Sequence, residues 1–258
     1  MYTRPRLIPA LTMINRGLVK TTQFKKPLYI GDPINTVKIF NNKGVDELCI
    51  LDIRATQEGK GLDFDYLKEI ASEAFMPLSY GGGITTVEEI EKLFYIGYEK
   101  VIINASFIGN PKLIEEAVHL AGSQSVVVSI DVKASRFKGQ QGFTHSGKRK
   151  THQDPLTLAK QAEALGAGEI LLTAVDRDGM MQGYDLDLVK AVSDAVNVPV
   201  IANGGASTIQ DFKAVLDAGA HAAAASSVFV FYGKQKAVLI TAPEEKELIK
   251  LGIFSALD

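Results

Sequence analysis

The sequence of 258 residues predicts a closed (β/α)8 barrel, or TIM barrel, formed as a single domain over residues 1–258. Short runs rich in β-branched residues alternate with longer helical patterns, which is typical of βα units and a parallel sheet. The sequence also resembles itself at a shift of 122 positions, which brings Gly83 onto Gly205 and Gly97 onto Gly219. Two copies of a four-unit half supply the eight units that close a barrel, whereas an open doubly wound sheet predicts no such repeat.

Eight strands are predicted, and several are apolar almost throughout, as expected when helices cover both faces of a sheet. They span residues 6–13, 47–53, 77–80, 100–104, 126–132, 169–175, 199–202 and 222–226.

Helix boundaries lie between these strands. Asp32 before Pro33 predicts an N-cap followed by a proline in the first turn, and Thr86 begins a capping-box pattern. Asn110 and Pro111 begin another helix. Glycines that favour helix ends follow four of the helical patterns, at Gly44, Gly97, Gly166 and Gly219.

The composition of the chain limits the kinds of binding partner that we expect. Net charge is −2 without a basic block, so we expect neither nucleic acid nor a membrane as partner. The single cysteine, Cys49, excludes an internal disulfide, fits a reducing compartment, and is interpreted as a small buried apolar side chain. The first 20 residues lack a small-residue cleavage site, and no run approaches the roughly 18 apolar residues of a membrane span. We therefore expect a cytoplasmic protein.

The longest predicted irregular segment covers residues 134–153, after the fifth strand. Loops longer than about 12–15 residues are usually functional or disordered, and this one follows a strand on the face where barrel active sites lie. It is interpreted as a mobile lid, with a passive insertion as the alternative.

Two glycine-rich turns predict phosphate sites. Residues 81–83 follow the third strand and residues 203–205 follow the seventh, and glycines let backbone N–H groups approach a phosphate. One unit later, each half ends a strand in small polar residues, at Asn104 and at Ser226. The repeat places these two sites on opposite sides of one barrel mouth. An elongated substrate with a phosphate at each end is implied.

Acidic residues at strand ends are candidates for proton transfer. For Asp131, at the end of the fifth strand, catalysis is favoured over a loop hydrogen bond. For Asp52 and Asp176 both interpretations stay open, and Asp178 with Gly179 fits the second phosphate site through the backbone.

The histidines show no metal-ligand spacing, and a dinucleotide fingerprint is missing, so no metal and no cofactor are expected. Two of them lie in the long loop, where solvated histidines are commoner than substrate ligands. The four are His119, His145, His152 and His221.

Several segments together resemble HisF, the cyclase subunit of imidazole glycerol phosphate synthase, over about residues 6–231. They include RLIPAL, VDELCILDI, PLSYGGGI, GAGEILLT, VDRDGMMQGYDL and VPVIANGGA. The sister isomerase HisA shares the repeat, but GAGEILLT and the DRDG segment are similar to HisF. The resemblance implies a lyase in which ammonia from a HisH-type glutaminase enters the bottom of the barrel, crosses its core and attacks a ribulosyl-type bisphosphorylated substrate.

The resemblance also assigns roles. It makes Asp131 the acid/base catalyst, and it places Lys20, a further candidate catalytic residue, on the loop after the first strand. Phosphate or substrate contacts are expected at Gly82, Gly83, Asn104, Ala105, Thr173, Asp178, Gly179, Gly204, Gly205, Ser226 and Ser227. An ammonia gate is expected at Arg6, Glu47, Lys100 and Glu169. These four begin strands and so lie at the barrel floor, where a purely structural ion-pair cluster is the alternative.

One position departs from the family. HisF has a second catalytic aspartate at the end of the first strand, where this chain has Thr12, which cannot titrate near neutral pH. Paired acid and base catalysis then loses one partner, on the scale of about 10²–10⁴ in rate per group.

This altered start, with RGLVKT, GDPINT and the tail at residues 236–240, is similar to a HisF-like branch encoded with surface-polysaccharide genes. In that branch the ammonia serves the conversion of an N-acetyl sugar to an acetamidino sugar. This assignment is favoured over histidine biosynthesis. A non-catalytic ammonia conduit that activates a glutaminase is a further alternative, and a HisA-type isomerase is disfavoured because it also requires an acid at Thr12.

Overall fold

The computed structural model describes residues 4–135, 139–233 and 235–255, and its centre is a closed barrel of eight parallel strands. The barrel strands are β1 (Arg6–Ile14), β4 (Leu48–Asp52), β5 (Leu78–Gly81), β6 (Lys100–Ile103), β7 (Val126–Ser135), β10 (Glu169–Ala174), β11 (Val200–Asn203) and β12 (Ala222–Ala225). Strand β12 pairs in parallel with β1, and β7 pairs in parallel with β10, so the sheet has no free edge within the barrel. The predicted (β/α)8 fold is confirmed.

Helices cover the outside of the barrel. They are α1 (Pro33–Lys43), α2 (Ala55–Glu58), α3 (Phe64–Ser72), α4 (Val87–Tyr95), α5 (Ala105–Gly109), α6 (Lys112–Ala121), α7 (Pro155–Ala164), α8 (Leu186–Ser193), α9 (Ile209–Asp217), α10 (Ser227–Val230) and α11 (Glu245–Lys250). The predicted caps of α1 and α4 are present: the Asp32 side chain accepts from Asn35 N, and Thr86 and Glu89 form a capping box. In the described part of the chain, no helix combines the length and apolarity that crossing a bilayer requires.

The two-fold repeat relates individual elements. A shift of 122 positions carries β5 onto β11, β6 onto β12 and α4 onto α9. The capping devices repeat as well: Asp32 and Asp154 both cap helices that begin with proline, and Thr86 and Thr208 both begin capping boxes. Because each half carries the same cap signals, each half forms the same βα units.

Two antiparallel hairpins rise from the mouth of the barrel. They consist of β2 (Gly17–Thr22) with β3 (Lys25–Gly31) and of β8 (Gly139–Thr144) with β9 (Arg149–Lys150), and a short third pair, β13 (Phe231–Tyr232) with β14 (Ala237–Val238), follows α10. Strand β2 continues from β1, and β8 pairs with the extended end of β7. The shift of 122 positions also carries β2 onto β8.

The prediction of an irregular segment at residues 134–153 is therefore wrong for residues 134–135, 139–144 and 149–150, which lie in strands. Residues 136–138 of that segment lie outside the described residues. The hairpin escaped prediction because its sequence is polar and lacks alternation, and its pairing is set by β7 rather than by local preference.

Apolar side chains form two layers, one between strands and helices and a smaller one inside the barrel. The inner layer includes Ile8, Ala10, Cys49, Ile102, Val127, Leu171, Ile201, Ala222 and Ala224. Cys49 is buried here, and burial raises the pKa of its thiol to about 12, so it remains a neutral, small side chain. The inner layer separates the floor of the barrel from its mouth.

Candidate functional site

The carboxyl ends of the strands surround a cavity with about 1030 Å³ of empty space, counting the part open to solvent. Every residue predicted for catalysis or for phosphate and substrate binding lines this cavity: Thr12, Lys20, Gly82, Gly83, Asn104, Ala105, Asp131, Thr173, Asp178, Gly179, Gly204, Gly205, Ser226 and Ser227. These residues come from distant parts of the sequence, and the closed barrel brings them together.

The first glycine-rich turn, after β5, lies against the loop that follows β4. Gly82 has φ 121°, and a Cβ atom added to it would lie 2.3 Å from the Asp52 carbonyl oxygen, so a larger residue does not fit. Gly83 N donates to Thr56 Oγ1 at 3.2 Å. Asn104, one unit later, donates through Nδ2 to Ser129 O at 2.9 Å. Together with α5, this turn forms what we call the first cradle, residues 82–83 and 104–105.

The second cradle, residues 204–205 and 226–227, has the same construction in the other half. A Cβ atom added to Gly205, at φ 110°, would lie 2.2 Å from Gly183 O. Ser226 lines the cavity, and its Oγ is buried and has no hydrogen-bond partner among the described residues. Buried hydroxyls are almost always hydrogen-bonded, so this one calls for an acceptor that occupies the cavity.

In the described part of the chain, Asp131 is the carboxylate of the mouth that has neither an ion-pair partner nor a backbone hydrogen bond to its side chain. It lies on β7 and is only 8% exposed, with Ser129 Oγ 3.5 Å from its Oδ1. Burial raises the pKa of Asp131 to about 7, against the opposing effects of Ser129 and Lys133. Near neutral pH both protonation states are populated, which is the condition that general acid/base catalysis requires.

Thr12 lies at the corresponding end of β1 and is buried. Its hydroxyl donates to the Val19 carbonyl oxygen on β2. The side chain therefore brings neither charge nor a free donor proton into the mouth.

Lys20 and Asp178 form a buried ion pair beside the second cradle. Lys20 Nζ is 2.7 Å from Asp178 Oδ1, and Thr21 Oγ1 donates to Asp178 Oδ2 at 2.7 Å. Lys20 lies on β2 rather than on a loop, because β1 continues into a hairpin that pairs with it. Both carboxylate oxygens of Asp178 hold this hairpin.

Asp52 and Asp176 act as hydrogen-bond acceptors in loops. Asp52 Oδ1 accepts from Arg54 N and Ala55 N, each at 2.9 Å, ahead of α2. Burial raises the pKa of Asp52, although these two backbone bonds lower it. Asp176 Oδ2 accepts from Ala134 N at 2.7 Å, and Asp176 does not line the cavity. The hydrogen-bonding interpretation is favoured for both.

Each hairpin crosses the mouth to the other half of the barrel. Gln23 N donates to Asp178 O at 2.8 Å, and Ser146 Oγ donates to Ile53 O at 2.6 Å. Phe24, His145 and Ser146 from the two turns line the cavity and were not among the predicted site residues. The sequence signal that could have found them is the repeat, because residues 23–24 and 145–146 are repeat mates. In the structure, their φ angles of 52°, 58°, 54° and 54° mark two equivalent left-handed turns.

The four predicted gate residues form a closed ring at the floor of the barrel. Arg6 Nη1 lies 2.6 Å from Glu47 Oε2, and its Nη2 lies 2.6 Å from Glu169 Oε1. Lys100 Nζ lies 2.9 Å from Glu47 Oε2 and 3.0 Å from Glu169 Oε2. Burial acts to lower the pKa of Arg6, but the two glutamates outweigh it and the pKa is raised. Each charge therefore has two opposite neighbours.

Metal binding has no support in the described ranges, where no three histidine, cysteine or acidic side chains are grouped to hold an ion.

The fold and the mouth define a class: a (β/α)8 barrel that presents two repeated anion cradles and a buried carboxylate at the carboxyl ends of its strands. The chain belongs to the histidine biosynthesis protein family, whose model matches residues 6–236. It is 45% identical over 250 residues to a candidate imidazole glycerol phosphate synthase subunit HisF of Leptospira interrogans, covering 95% of this chain and 98% of that protein.

Two further relatives are 46% identical over 246 residues. They are candidate imidazole glycerol phosphate synthase subunits, hisF2 of Pseudomonas aeruginosa and hisF3 of Vibrio vulnificus, with 95% of this chain covered in both and 98% and 95% of the relatives. The resemblance to HisF is confirmed, and the chain is a HisF-like member of a cyclase-type lyase family.

Proposed function

We propose that this chain is the synthase subunit of a two-protein system, which takes ammonia from a HisH-type glutaminase at its floor and delivers it to a bisphosphorylated substrate at its mouth. The observation that carries this proposal is the pair of cradles at repeat-related positions, with Asp131 in the same cavity above the charged ring. The separation of floor and mouth makes the barrel axis the path between the two reactants.

The interior of the barrel supports transfer of neutral ammonia. Small or apolar side chains line it between the ring and the mouth, among them Ala10, Cys49, Ala222 and Ala224. An ammonium ion would lose its hydration in such surroundings at a large cost, whereas neutral ammonia loses far less. Ammonia enters only if the ring opens, and Lys100 is the cation with a single charged nitrogen to move.

Two anionic groups on one substrate fit the mouth. The glycine turns line the cavity, the orphan hydroxyl of Ser226 offers a donor, and Lys20 supplies a buried cation beside the second cradle. Phosphates suit such donors because their oxygens accept hydrogen bonds from backbone N–H groups in glycine-rich turns.

The sugar branch is proposed as the setting of this chemistry. Thr12 removes the carboxylate that the histidine-pathway cyclase uses, and its hydroxyl is committed to Val19 O. A precursor of an acetamidino sugar requires different proton transfers from the histidine precursor. Such a substrate fits a mouth in which Asp131 is the unpaired carboxylate. Histidine-type cyclisation is the alternative for the same site.

A second candidate function is a conduit that stimulates the glutaminase and passes ammonia on without chemistry of its own. Thr12 favours the conduit function, because its hydroxyl is bonded to Val19 O and the mouth therefore lacks a second acid. The charged ring at the floor is complete.

The test supplies the purified chain with ammonium and the bisphosphorylated ribulosyl intermediate, and separately with glutamine and a HisH-type glutaminase. Turnover with ammonium supports the synthase, whereas glutaminase stimulation without turnover supports the conduit. Arg6→Ala is expected to abolish glutamine-driven turnover and to spare ammonium-driven turnover. Lys112→Ala, at an exposed surface pair, is the matched control that should change neither. A chain that neither binds nor stimulates a glutaminase contradicts both functions.

A further inference from the structure

The turn of the β8–β9 hairpin holds a histidine at the cavity. His145, Ser146 and Gly147 are all left-handed, with φ angles of 54°, 54° and 73°. Two successive non-glycine residues in this region are strained, and such strain persists only where the surroundings impose it, often at functional sites.

Contacts from three barrel strands impose this conformation. Ser146 Oγ donates to Ile53 O beyond β4, and Lys133 Nζ on β7 donates to Gly147 O at 2.5 Å. Asn104, at the end of β6, donates through Nδ2 to Phe143 O at 3.4 Å. The turn is therefore held over the mouth rather than extended into solvent.

The strand register places His145 directly after β8, near the end of β7. Asp131 pairs with Phe143, two residues before His145. At its other side the turn is bonded to Ile53, whose N–H donates to Met13 O at 3.1 Å, next to Thr12. His145 thus lines the same cavity as Asp131 and Thr12.

The imidazole is oriented and has one free nitrogen. Nδ1 lies 3.0 Å from Thr144 Oγ1, and Nε2 has no hydrogen-bond partner among the described residues. Burial and the positive charge of Arg149 lower the pKa of His145, so the ring is neutral at physiological pH. The other charged groups around it are Lys148 on its own turn, Lys133 on β7 and Asp52 at the end of β4, and Lys148 Nζ is engaged with Gln57.

We propose that His145 is the second acid/base group of the mouth and works with Asp131 in the place of the carboxylate that Thr12 lacks. This inference rests on the proposed synthase function. When ammonia attacks a keto carbon of the substrate, the N–C bond forms and the π bond of the carbonyl breaks. His145 Nε2 accepts a proton from the attacking nitrogen while protonated Asp131 donates one to the carbonyl oxygen, which yields a neutral carbinolamine. The two groups end with exchanged protonation states, ready to reverse roles in the loss of water.

The experiment compares His145→Asn with His152→Gln in the full chain, using ammonium and the bisphosphorylated ribulosyl intermediate. Asparagine tolerates the left-handed conformation and can replace the bond to Thr144, so the turn is kept while the titrating ring is lost. His152 is exposed in the same insert and does not line the cavity, which makes it the matched control. We expect His145→Asn to lower kcat by about 10²–10⁴ with little change in KM, and to remove the acidic limb of the pH profile. His152→Gln should keep the wild-type profile.

Chemical rescue provides a second measurement. His145→Gly keeps the turn because glycine accepts positive φ, and added imidazole should restore part of its kcat. An active wild-type chain whose kcat and pH profile survive His145→Asn overturns this inference and leaves the synthase function intact. A wild-type chain without turnover overturns both, whereas equal losses in His145→Asn and His152→Gln assign the insert a structural role and overturn the inference alone.

Discussion

Thr12 and Asp131 occupy equivalent positions in the two halves of the barrel. Thr12 pairs with Leu51 on β4, and Asp131 pairs with Thr173 on β10. Leu51 and Thr173 are repeat mates, 122 positions apart. The two-fold barrel thus has two matching positions for a mouth acid, and this chain has a carboxylate at one of them.

Replacing Asp131 by asparagine should stabilise the protein at high pH. Burial raises the pKa of Asp131 from 3.8 to about 7 in the folded state, so the folded chain binds a proton more tightly than the unfolded chain. Wild-type stability therefore falls as pH rises from about 4 to about 7, and remains lower above that window. Asparagine never ionises. The free energy of unfolding of Asp131→Asn, relative to that of the wild type, should therefore rise by roughly 2–4 kcal/mol between pH 4 and pH 8. Urea unfolding at both pH values measures this.

The matched control for that experiment is Asp187→Asn, at an exposed carboxylate in the first turn of α8. The difference in free energy of unfolding between Asp187→Asn and the wild type should vary little between the two pH values. A difference for Asp131→Asn that is equally flat would mean that this carboxylate is not desolvated. The same variant should lose about 10²–10⁴ in kcat at every pH if Asp131 transfers protons.

Replacing Glu47 by glutamine should destabilise the floor ring. Glu47 Oε2 accepts from both Arg6 and Lys100, and its side chain is 4% exposed. Its neutralisation leaves the two cations with Glu169 as their common partner in a half-buried setting. We expect a loss of about 3–5 kcal/mol in the free energy of unfolding, as for one broken partner of a buried pair.

Glu116→Gln is the comparison for the ring, because Glu116 pairs with Lys112 on the exposed face of α6. Exposed pairs of this kind contribute about 0–1 kcal/mol. If urea unfolding gives similar losses for Glu47→Gln and Glu116→Gln, the ring adds no more than a surface pair does.

Replacing Gly205 by alanine should distort the second cradle. The added Cβ would lie 2.2 Å from Gly183 O, so the turn must move in addition to adopting an unfavourable φ. Gly44→Ala meets nothing within 4 Å at φ 64° and carries only the conformational penalty, about 1–2 kcal/mol. Thermal unfolding should rank Gly205→Ala as the less stable variant. The affinity for inorganic phosphate, measured by calorimetry, should fall for Gly205→Ala and persist for Gly44→Ala. The reverse order would refute a phosphate site at the second cradle.

Replacing Ser226 by alanine should separate binding from stability. Ser226 Oγ has no partner in the described protein, so its removal should leave the free energy of unfolding unchanged or slightly raised. A hydrogen bond to a charged oxygen is worth about 1.5–3 kcal/mol, so affinity for inorganic phosphate should fall about tenfold or more.

Ser106→Ala is the counterpart, since Ser106 Oγ already donates to Ile84 O. That variant should lose about 0.5–1.5 kcal/mol of stability. Unchanged phosphate affinity in Ser226→Ala, measured by calorimetry, would remove Ser226 from the anion site.

Short-range sequence patterns were enough to predict the barrel and the residues that line its mouth. Asp32 with Pro33 and Thr86 with Glu89 begin helices through bonds to residues three positions away, so the sequence shows them directly. Glycine turns are visible for the same reason. Once the barrel closes, residues at strand ends must share one face, which explains why Asp131 and the two cradles meet in one cavity.

Strand pairings and hydrogen bonds between residues far apart in the sequence were not predicted. The hairpin of residues 139–150 depends on pairing with β7, and its turn depends on a bond from Ser146 to Ile53, 93 positions away. Lys20, predicted as a catalytic residue, and Asp178, predicted as a substrate contact, hold each other across 158 positions.

The sequence by itself determined the order of the eight barrel strands, the two-fold repeat, the glycine turns and the charged residues at strand starts, because each depends on residue type and short-range spacing. Only the tertiary structure decided which polar groups are already satisfied: Thr12 by Val19, Asp178 by Lys20, and Ser226 by none of the described residues. A hydrogen bond needs both atoms within about 3 Å, and for side chains on different strands that distance is set by barrel closure rather than by neighbouring residues.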